Sequence, residues 1–136
     1  MTGGNVESIF GGAGDAATYG NRIISITGGT VNYSVFGGSN GYQSDEGKGT
    51  LNGSTYLYIG GNGIIGDETN VSNPNAKMFG AEAGSVFGIG NGKTGSSTIG
   101  SCDNSNIIIN DNAKVRKNVY GGGNFGATGV NSTSST

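Results

Sequence analysis

The residues of this chain best suited to catalysis are its carboxylates, of which there are nine. Two adjacent pairs, Asp45-Glu46 and Asp67-Glu68, lie in segments that read as loops. Glycoside hydrolysis needs two carboxyl groups that face each other across a cleft, and loops on successive layers of a fold would gather four acids at one edge. The favoured interpretation is that these acids are solvated and keep a glycine-rich surface soluble.

Other chemical groups are sparse. The chain has no histidine, which is the commonest metal ligand and general base. The single cysteine, Cys102, cannot form an internal disulfide and is interpreted as a small buried residue rather than a reactive thiol. The run from Gly11 to Asp15 approaches a calcium-binding Gly-Gly-x-Gly-x-Asp sequence, but its Asp comes one residue early and no tandem copy follows. We therefore predict no cofactor, no metal and no enzymatic activity.

Composition narrows the classes of protein further. Glycine supplies 30 of 136 residues, charged residues 12% and hydrophobic residues 32%, which disfavours helices because glycine is a poor helix former. Lys and Arg number only 7 and are scattered, whereas a nucleic-acid interface needs a denser basic patch. No apolar run approaches the length that spans a bilayer. Neither nucleic acid nor a membrane span is expected.

The most informative pattern is a degenerate repeat. An aliphatic residue, an aromatic residue and then glycines recur in four places, Val6–Gly12, Val31–Gly38, Gly84–Gly90 and Val115–Gly123. We predict that the four aromatic residues, Phe10, Phe36, Phe87 and Tyr120, stack in one ladder. A ladder inside the core or at a corner is favoured over a sugar-binding stripe. Tyr33, Tyr42 and Tyr56 are the freer candidates for contact with a glycan.

Short runs of strand-forming residues accompany the repeat. They are Ile23–Ile26, Tyr56–Ile59 and Ile107–Ile109, each bounded by glycine or polar turn residues. The segment Gly60–Gly66 is interpreted as a further degenerate copy in which Ile65 stands for the aromatic residue. Two loops are expected, at Tyr42–Thr50 and Asp67–Asn75, and the stretch from Asp67 to Ala83 departs from the repeat.

These features predict an all-β fold, a parallel β-helix (β-solenoid) of four to five irregular coils forming a single repeat domain over residues 1–136. Strands this short bury few side chains, so each coil must pack against its neighbours. Glycine-rich corners connect the strands, and we assign them to Gly11, Gly12, Gly37, Gly38, Gly60, Gly61, Gly88, Gly121 and Gly122. At Gly37, Gly38, Gly121 and Gly122 we expect several positive φ angles and a loss of more than about 1 kcal/mol on substitution by Val.

The pattern resembles the glycine-rich repeats of bacterial surface and adhesin-like proteins, best over Ile24–Gly41 and Ile107–Gly126. This resemblance implies an elongated, non-catalytic scaffold that is extracellular or attached to the cell surface. The alternative is a carbohydrate-binding or carbohydrate-active β-helix fragment that uses the loop acids and exposed tyrosines.

The two ends of the sequence add an expectation about partners. The chain opens at Thr2-Gly3-Gly4-Asn5-Val6, which matches the middle of a repeat, and closes on a Ser/Thr-rich tail. A β-solenoid without caps offers unpaired backbone groups to another chain. We expect head-to-tail stacking on a second copy, in a filament, or on the rest of a longer parent chain, with cell-surface glycans as a further class of partner.

Overall fold

The computed structural model describes residues 1–14, 16–42, 49–94 and 100–125. It is an all-β structure of short strands with one five-residue helix in this part of the chain. The elements are β1 (Asn5–Val6), β2 (Ile9–Phe10), β3 (Thr18–Tyr19), β4 (Arg22–Ile26), β5 (Thr30–Val31), β6 (Val35–Phe36), β7 (Leu51–Asn52), β8 (Ser54–Ile59), β9 (Ile64–Ile65), α1 (Glu68–Ser72), β10 (Lys77–Met78), β11 (Ala81–Glu82), β12 (Val86–Phe87), β13 (Asn104–Ile109), β14 (Lys114–Val115) and β15 (Val119–Tyr120).

The strands form several small sheets that the chain visits in a repeated order. The valine sheet has the order β1-β5-β9-β14, and the aromatic sheet has the order β2-β6-β12-β15. The long sheet contains β4, β8 and β13, and a short sheet pairs β3 with β7. Every pair in these sheets is parallel. We call residues 5–19, 22–52, 54–102 and 104–125 passes 1 to 4, because each contributes one strand to the valine sheet and one to the aromatic sheet.

Alternation along the strands separates an interior face from an exterior face. In β4, Ile24 and Ile26 are buried, whereas Ile23, which precedes Ile24, is 79% exposed. Their partners Leu57 and Ile59 in β8 are buried in the same way. Side chains of successive strand residues point to opposite faces of a sheet, so the odd and even positions divide into core and surface. The main core contains these four residues together with Val31, Val35, Ile65 and Val86.

The three predicted strand runs all lie in the long sheet, as β4, β8 and β13. The interpretation of Gly60–Gly66 as a copy with Ile65 in the aromatic position is wrong. Ile65 pairs with Val31 in the valine sheet, and Phe87, which follows much later, pairs with Phe36. Pass 3 is therefore one long pass with an insertion rather than two short ones, and the described chain makes four passes.

The insertion occupies residues 67–84, between β9 and β12. The sequence predicted a loop over its first part, but Asp67 caps a short helix there, accepting hydrogen bonds from Thr69 N at 2.9 Å and Asn70 N at 3.4 Å. A carboxylate at this position satisfies amide groups that have no partner inside the helix. The insertion then forms the β10–β11 hairpin, which is the antiparallel pair among the described strands.

The expectation of positive φ at Gly37, Gly38, Gly121 and Gly122 is wrong. Of the nine predicted corner glycines, Gly61 alone has a positive φ, of 55°. At Gly37 and Gly38 the constraint is the close approach of the next pass, since a Cβ on Gly38 would lie 2.8 Å from Gly90 N. At Gly121 and Gly122 a Cβ would meet no described atom within 4 Å, so the structure also removes the reason to expect a destabilising effect of Val there.

Candidate functional site

The aromatic residues of the repeat form a continuous stack along the aromatic sheet. The ring centroids of Phe10 and Phe36 lie 4.7 Å apart, and the next two steps, through Phe87 to Tyr120, are 4.9 Å each. The rings are nearly parallel, with interplanar angles of 2°, 4° and 13°. This spacing follows the distance between hydrogen-bonded strands, so the register of the backbone fixes the register of the rings.

This ladder lies outside the main core. Val35 and Val86 belong to the main core, whereas the following residues, Phe36 and Phe87, form a separate cluster with Ala81. The cover is supplied by the β10–β11 hairpin, whose tip residue Phe79 packs edge-on against Phe10 at 5.7 Å and 71°. The insertion that departs from the repeat therefore covers the middle of an outward-facing aromatic stripe, at Phe36 and Phe87.

The hairpin covers the ladder unevenly. It leaves Tyr120 43% exposed, whereas Phe36 is fully buried. Along the row that precedes the aromatic sheet, Ser8 donates to Met78 Sδ at 3.1 Å and Ser34 donates to the Glu82 carbonyl at 2.7 Å. The next residue in this row, Ser85, is buried, and its Oγ has no hydrogen-bond partner among the described residues.

A second ladder, of asparagine side chains, was missed by the sequence analysis. Asn40, Asn91 and Asn124 form parallel bridges. Asn91 is fully buried, and its Nδ2 donates to Asn40 Oδ1 at 3.1 Å and to the Phe79 carbonyl at 2.9 Å. Asn124 Nδ2 donates to Asn91 Oδ1 at 2.8 Å. Because a carbonyl can only accept, the bond to Phe79 fixes which end of the Asn91 amide is the donor. The sequence signal was an Asn four residues after the aromatic residue in three of the four copies.

Glycines form a third ladder directly after the aromatic residues. A Cβ added to Gly11 would collide with the carbonyl oxygen of Gly37, and one added to Gly37 would collide with that of Gly88. A Cβ on Gly88 would lie 2.6 Å from the carbonyl oxygen of Gly121. At each step the following pass occupies the space that a side chain would need, so only glycine fits. At Gly121 the same space holds no described atom.

The remaining predicted corner glycines are constrained by side chains or by their φ angle. A Cβ on Gly12 would collide with the Ser39 side chain, and one on Gly60 would lie 2.7 Å from Tyr58 Oη. Gly61 combines its positive φ with the close carbonyl of Thr27.

Pass 4 exposes residues that are buried at equivalent positions in the middle passes. Val119 is 47% exposed, whereas its partner Val86 and the next residue in the same register, Val35, are fully buried. Ile109 is likewise 39% exposed, whereas its partner Ile59 is fully buried. At the opposite end, Val6 of pass 1 is 39% exposed. At both ends of the stacked sheets, apolar residues that are buried in the middle passes are thus partly exposed.

The acids considered for catalysis have structural partners where the structure describes them. Asp67 caps α1, and Glu68 forms an ion pair with Arg116 at 2.9 Å. Asp45 and Glu46 lie outside the described residues, and so does Asp15, the aspartate of the calcium-like sequence. The described part of the chain contains no group of three or more potential metal ligands, and none of its helices is long and apolar enough to cross a membrane.

Cys102 is buried beside Leu51 and Ile89. Its thiol donates to the carbonyl of Asn104 at 3.3 Å, and burial raises its pKa to about 12. The thiolate is the nucleophilic form of cysteine, and burial favours the neutral thiol of Cys102 near neutral pH. Of the tyrosines considered for glycan contact, Tyr33 is half-buried, while Tyr42 and Tyr56 are exposed.

The geometry thus leaves two candidate surfaces, the open end at pass 4 and the uncovered part of the aromatic ladder beside the hairpin. Comparisons with protein families, with characterised proteins and with solved structures find no significant match to this chain.

Proposed function

We propose that the chain is a non-catalytic β-solenoid module that assembles end to end, with pass 1 of one copy stacking on pass 4 of the next. In this proposal the repeated passes are coils of one parallel β-helix, and the module belongs to an extracellular or cell-surface structure. The observation that carries the proposal is the space beside Gly121. In three preceding steps of the glycine ladder, the carbonyl of the following pass fills that space.

The exposed backbone and side chains of pass 4 support the same surface. Strands β13, β14 and β15 are the last described strands of their sheets, so each has one edge that no described strand pairs with, and an unpaired edge is a template for adding a strand. Val119 and Tyr120 stand beside this edge with much of their apolar surface in water. Fully burying a side chain of this kind contributes roughly 1.5–3 kcal/mol.

A second copy of the chain is the occupant that fits the register. Its β2 carries Ile9 and Phe10, which already pair with an aliphatic–aromatic dipeptide on their other side. Placed on β15, they would continue the ladder beyond Val119 and Tyr120. The contact joins two different surfaces of the module, so it does not close on itself and propagates into a filament.

The two ends can be blocked separately. Gly121→Val places a side chain in the open space at pass 4. Gly3→Val does the same at pass 1, where Gly3 corresponds in sequence to Gly28, whose Cβ would collide with the Thr2 carbonyl of the preceding pass. A Cβ on Gly3 itself meets no described atom within 4 Å. We expect both variants to fold, because a Cβ at either position meets no described atom within 4 Å.

Sedimentation velocity over a range of concentrations tests the proposal. The unmodified protein is expected to form growing assemblies, visible as filaments by electron microscopy, and each variant alone is expected to be a monomer. An equimolar mixture of the two variants is expected to form dimers and nothing larger, since one intact surface of each remains. Tyr56→Val, on the outer flank of the middle strand β8, is the control and should assemble like the unmodified protein. A monomer at all concentrations, or assembly that both blocking variants leave unchanged, would overturn end-to-end stacking.

A further inference from the structure

A cavity of about 300 Å³ lies where the hairpin stops covering the aromatic ladder. Its lining includes Glu82 from the hairpin, Ser85 and Phe87 from pass 3, and Tyr120 and Asn124 from pass 4. The backbone of Gly80 and Gly123 completes the wall. This volume is at the lower end of the range for small-molecule sites, which suits a ligand the size of one or two sugar rings.

The cavity takes the place that the hairpin occupies over the earlier passes. There, hairpin atoms accept hydrogen bonds from Ser8 and Ser34 and pack on the rings of Phe10 and Phe36. Ser85 continues the serine row, is 1% exposed and has an Oγ with no partner among the described residues. A buried hydroxyl without a partner carries an uncompensated desolvation cost, so the site lacks one polar contact that its two predecessors make.

The groups around the cavity indicate the chemistry of an occupant. Glu82 brings a carboxylate, which accepts hydrogen bonds. Asn124 uses one N–H of its Nδ2 on Asn91, so its Oδ1 can accept from a ligand and its second N–H can donate to one. No lysine or arginine is among the described lining residues. The site therefore favours a ligand with several hydroxyl donors and disfavours an anion.

Tyr120 adds a flat apolar surface. Its ring stacks on Phe87 and is 43% exposed. The face of an aromatic ring carries partial negative charge, and the C–H groups on one side of a pyranose ring carry partial positive charge, so the two surfaces attract each other. Hydroxyl donors around an apolar C–H face are the combination that a sugar offers.

We propose that this cavity binds a neutral saccharide, with the pyranose ring packed on Tyr120 and its hydroxyl groups hydrogen-bonded to Glu82, Asn124 and Ser85. The site is formed within one chain, but it shares Tyr120 with the surface proposed for stacking, so a saccharide on this ring and Phe10 of a second copy would compete for it. It would give a structural module a means of attachment to glycans.

Titration calorimetry and protein NMR with a fixed panel test this proposal. The panel consists of neutral gluco-, galacto- and manno-oligosaccharides, with glucuronate as the anionic and glucosamine as the cationic comparison. We expect a neutral oligosaccharide to bind, with shifts of the backbone amide signals of Ser85 and Asn124. The stacking-deficient Gly121→Val protein is measured alongside the unmodified protein, so that loss of assembly and loss of saccharide binding are read separately.

Two variants probe the polar contacts without removing the aromatic surface. Glu82→Gln keeps the size of an exposed side chain and is expected to weaken binding at least tenfold, whereas Glu7→Gln, at an exposed site in pass 1, should leave affinity unchanged. Ser85→Ala is expected to weaken binding at least threefold while keeping or raising the urea midpoint, because it removes the unpartnered hydroxyl. Tyr120→Phe keeps the ring and should bind within about threefold of the unmodified protein.

The proposal is wrong if no neutral saccharide in the panel binds at about 10 mM, which is above the Kd of on the order of 1 mM that a weak single site has. It is also wrong if glucosamine alone binds, since that outcome identifies a cation site at Glu82. Binding that Glu82→Gln and Ser85→Ala leave unchanged would place the saccharide elsewhere on the molecule and overturn the assignment of this cavity.

Discussion

The asparagine ladder provides the sharpest test of how the passes are held in register. Asn91→Ala removes three hydrogen bonds, to Asn40, Phe79 and Asn124, at a fully buried position. At about 1 kcal/mol net for each bond, the expected loss in the free energy of unfolding is about 3 kcal/mol. This is a large part of the 5–15 kcal/mol typical of a domain. Urea unfolding followed by far-UV circular dichroism measures the loss.

The matched control is Asn106→Ala, on the exposed outer face of β13, which should change the free energy by less than about 0.5 kcal/mol. If Asn91→Ala lies within about 1 kcal/mol of the unmodified protein, or if the control loses as much, the ladder does not stabilise the stack.

Asn91→Asp separates hydrogen bonding from shape. An ionised carboxylate at this position would face two acceptors, Asn40 Oδ1 and the Phe79 carbonyl, in a buried environment. We expect the pKa of the introduced carboxyl group to be raised in the folded state. Its contribution is then fully present below the unfolded value of about 3.9 and is lost as the pH rises through the folded value. The stability difference from the unmodified protein should therefore shrink as the pH is lowered from 7 to 4.

Three further predictions concern the packing between passes. Gly37→Ala is expected to lower the free energy of unfolding by more than about 2 kcal/mol in urea, because its Cβ would collide with the Gly88 carbonyl of the next pass. Cys102 should resist alkylation at pH 8 until the protein is unfolded. Because burial raises the pKa of its thiol to about 12 from an ordinary value of 9.0, its contribution to stability should decline as the pH rises from 9 towards 12. Ala81→Asp should cost more than about 2 kcal/mol in urea by burying a charge against the aromatic ladder, whereas Glu68→Gln, which removes an exposed ion pair with Arg116, should cost less than about 0.5 kcal/mol.

The sequence carried enough information for the fold class and for the placement of the strands because the strands of each pass are short and locally coded. The run Ile23–Ile26 is rich in β-branched residues and forms most of β4, where every second residue is buried in the core. Its counterparts Tyr56–Ile59 and Ile107–Ile109 pair with one another in β8 and β13. In a parallel stack, segments of similar sequence lie side by side, so similarity along the sequence predicts which segments are neighbours in space.

The repeat pattern could not predict that the insertion would cover the aromatic ladder. Nothing in the phrase around Phe36 distinguishes an interior aromatic residue from an exterior one, because Val35 and Phe36 are both apolar and the alternation of the strand can be read either way. The hairpin resolves this ambiguity by adding Ala81 to the buried cluster of Phe36, although the two residues are 45 positions apart. Long-range contacts of this kind follow from the packing of the whole chain and have no local signature.

The glycine motif was recognised correctly in the sequence, but the reason given for it, a positive φ angle, was wrong at Gly37 and Gly38. Repeated Gly-Gly pairs after an aromatic residue suggested corners with positive φ, whereas at Gly37 and Gly88 the requirement is for space, since the adjacent pass brings a carbonyl into the position of a Cβ. A φ requirement acts within one pass and would apply equally at Gly121. A space requirement acts between passes and does not apply at Gly121, where a Cβ would meet no described atom within 4 Å. The difference between Gly37→Ala and Gly121→Ala in urea thus distinguishes the two mechanisms. Under the proposed end-to-end stacking, a side chain at Gly121 is expected to leave the single chain folded and to block the docking of a second copy.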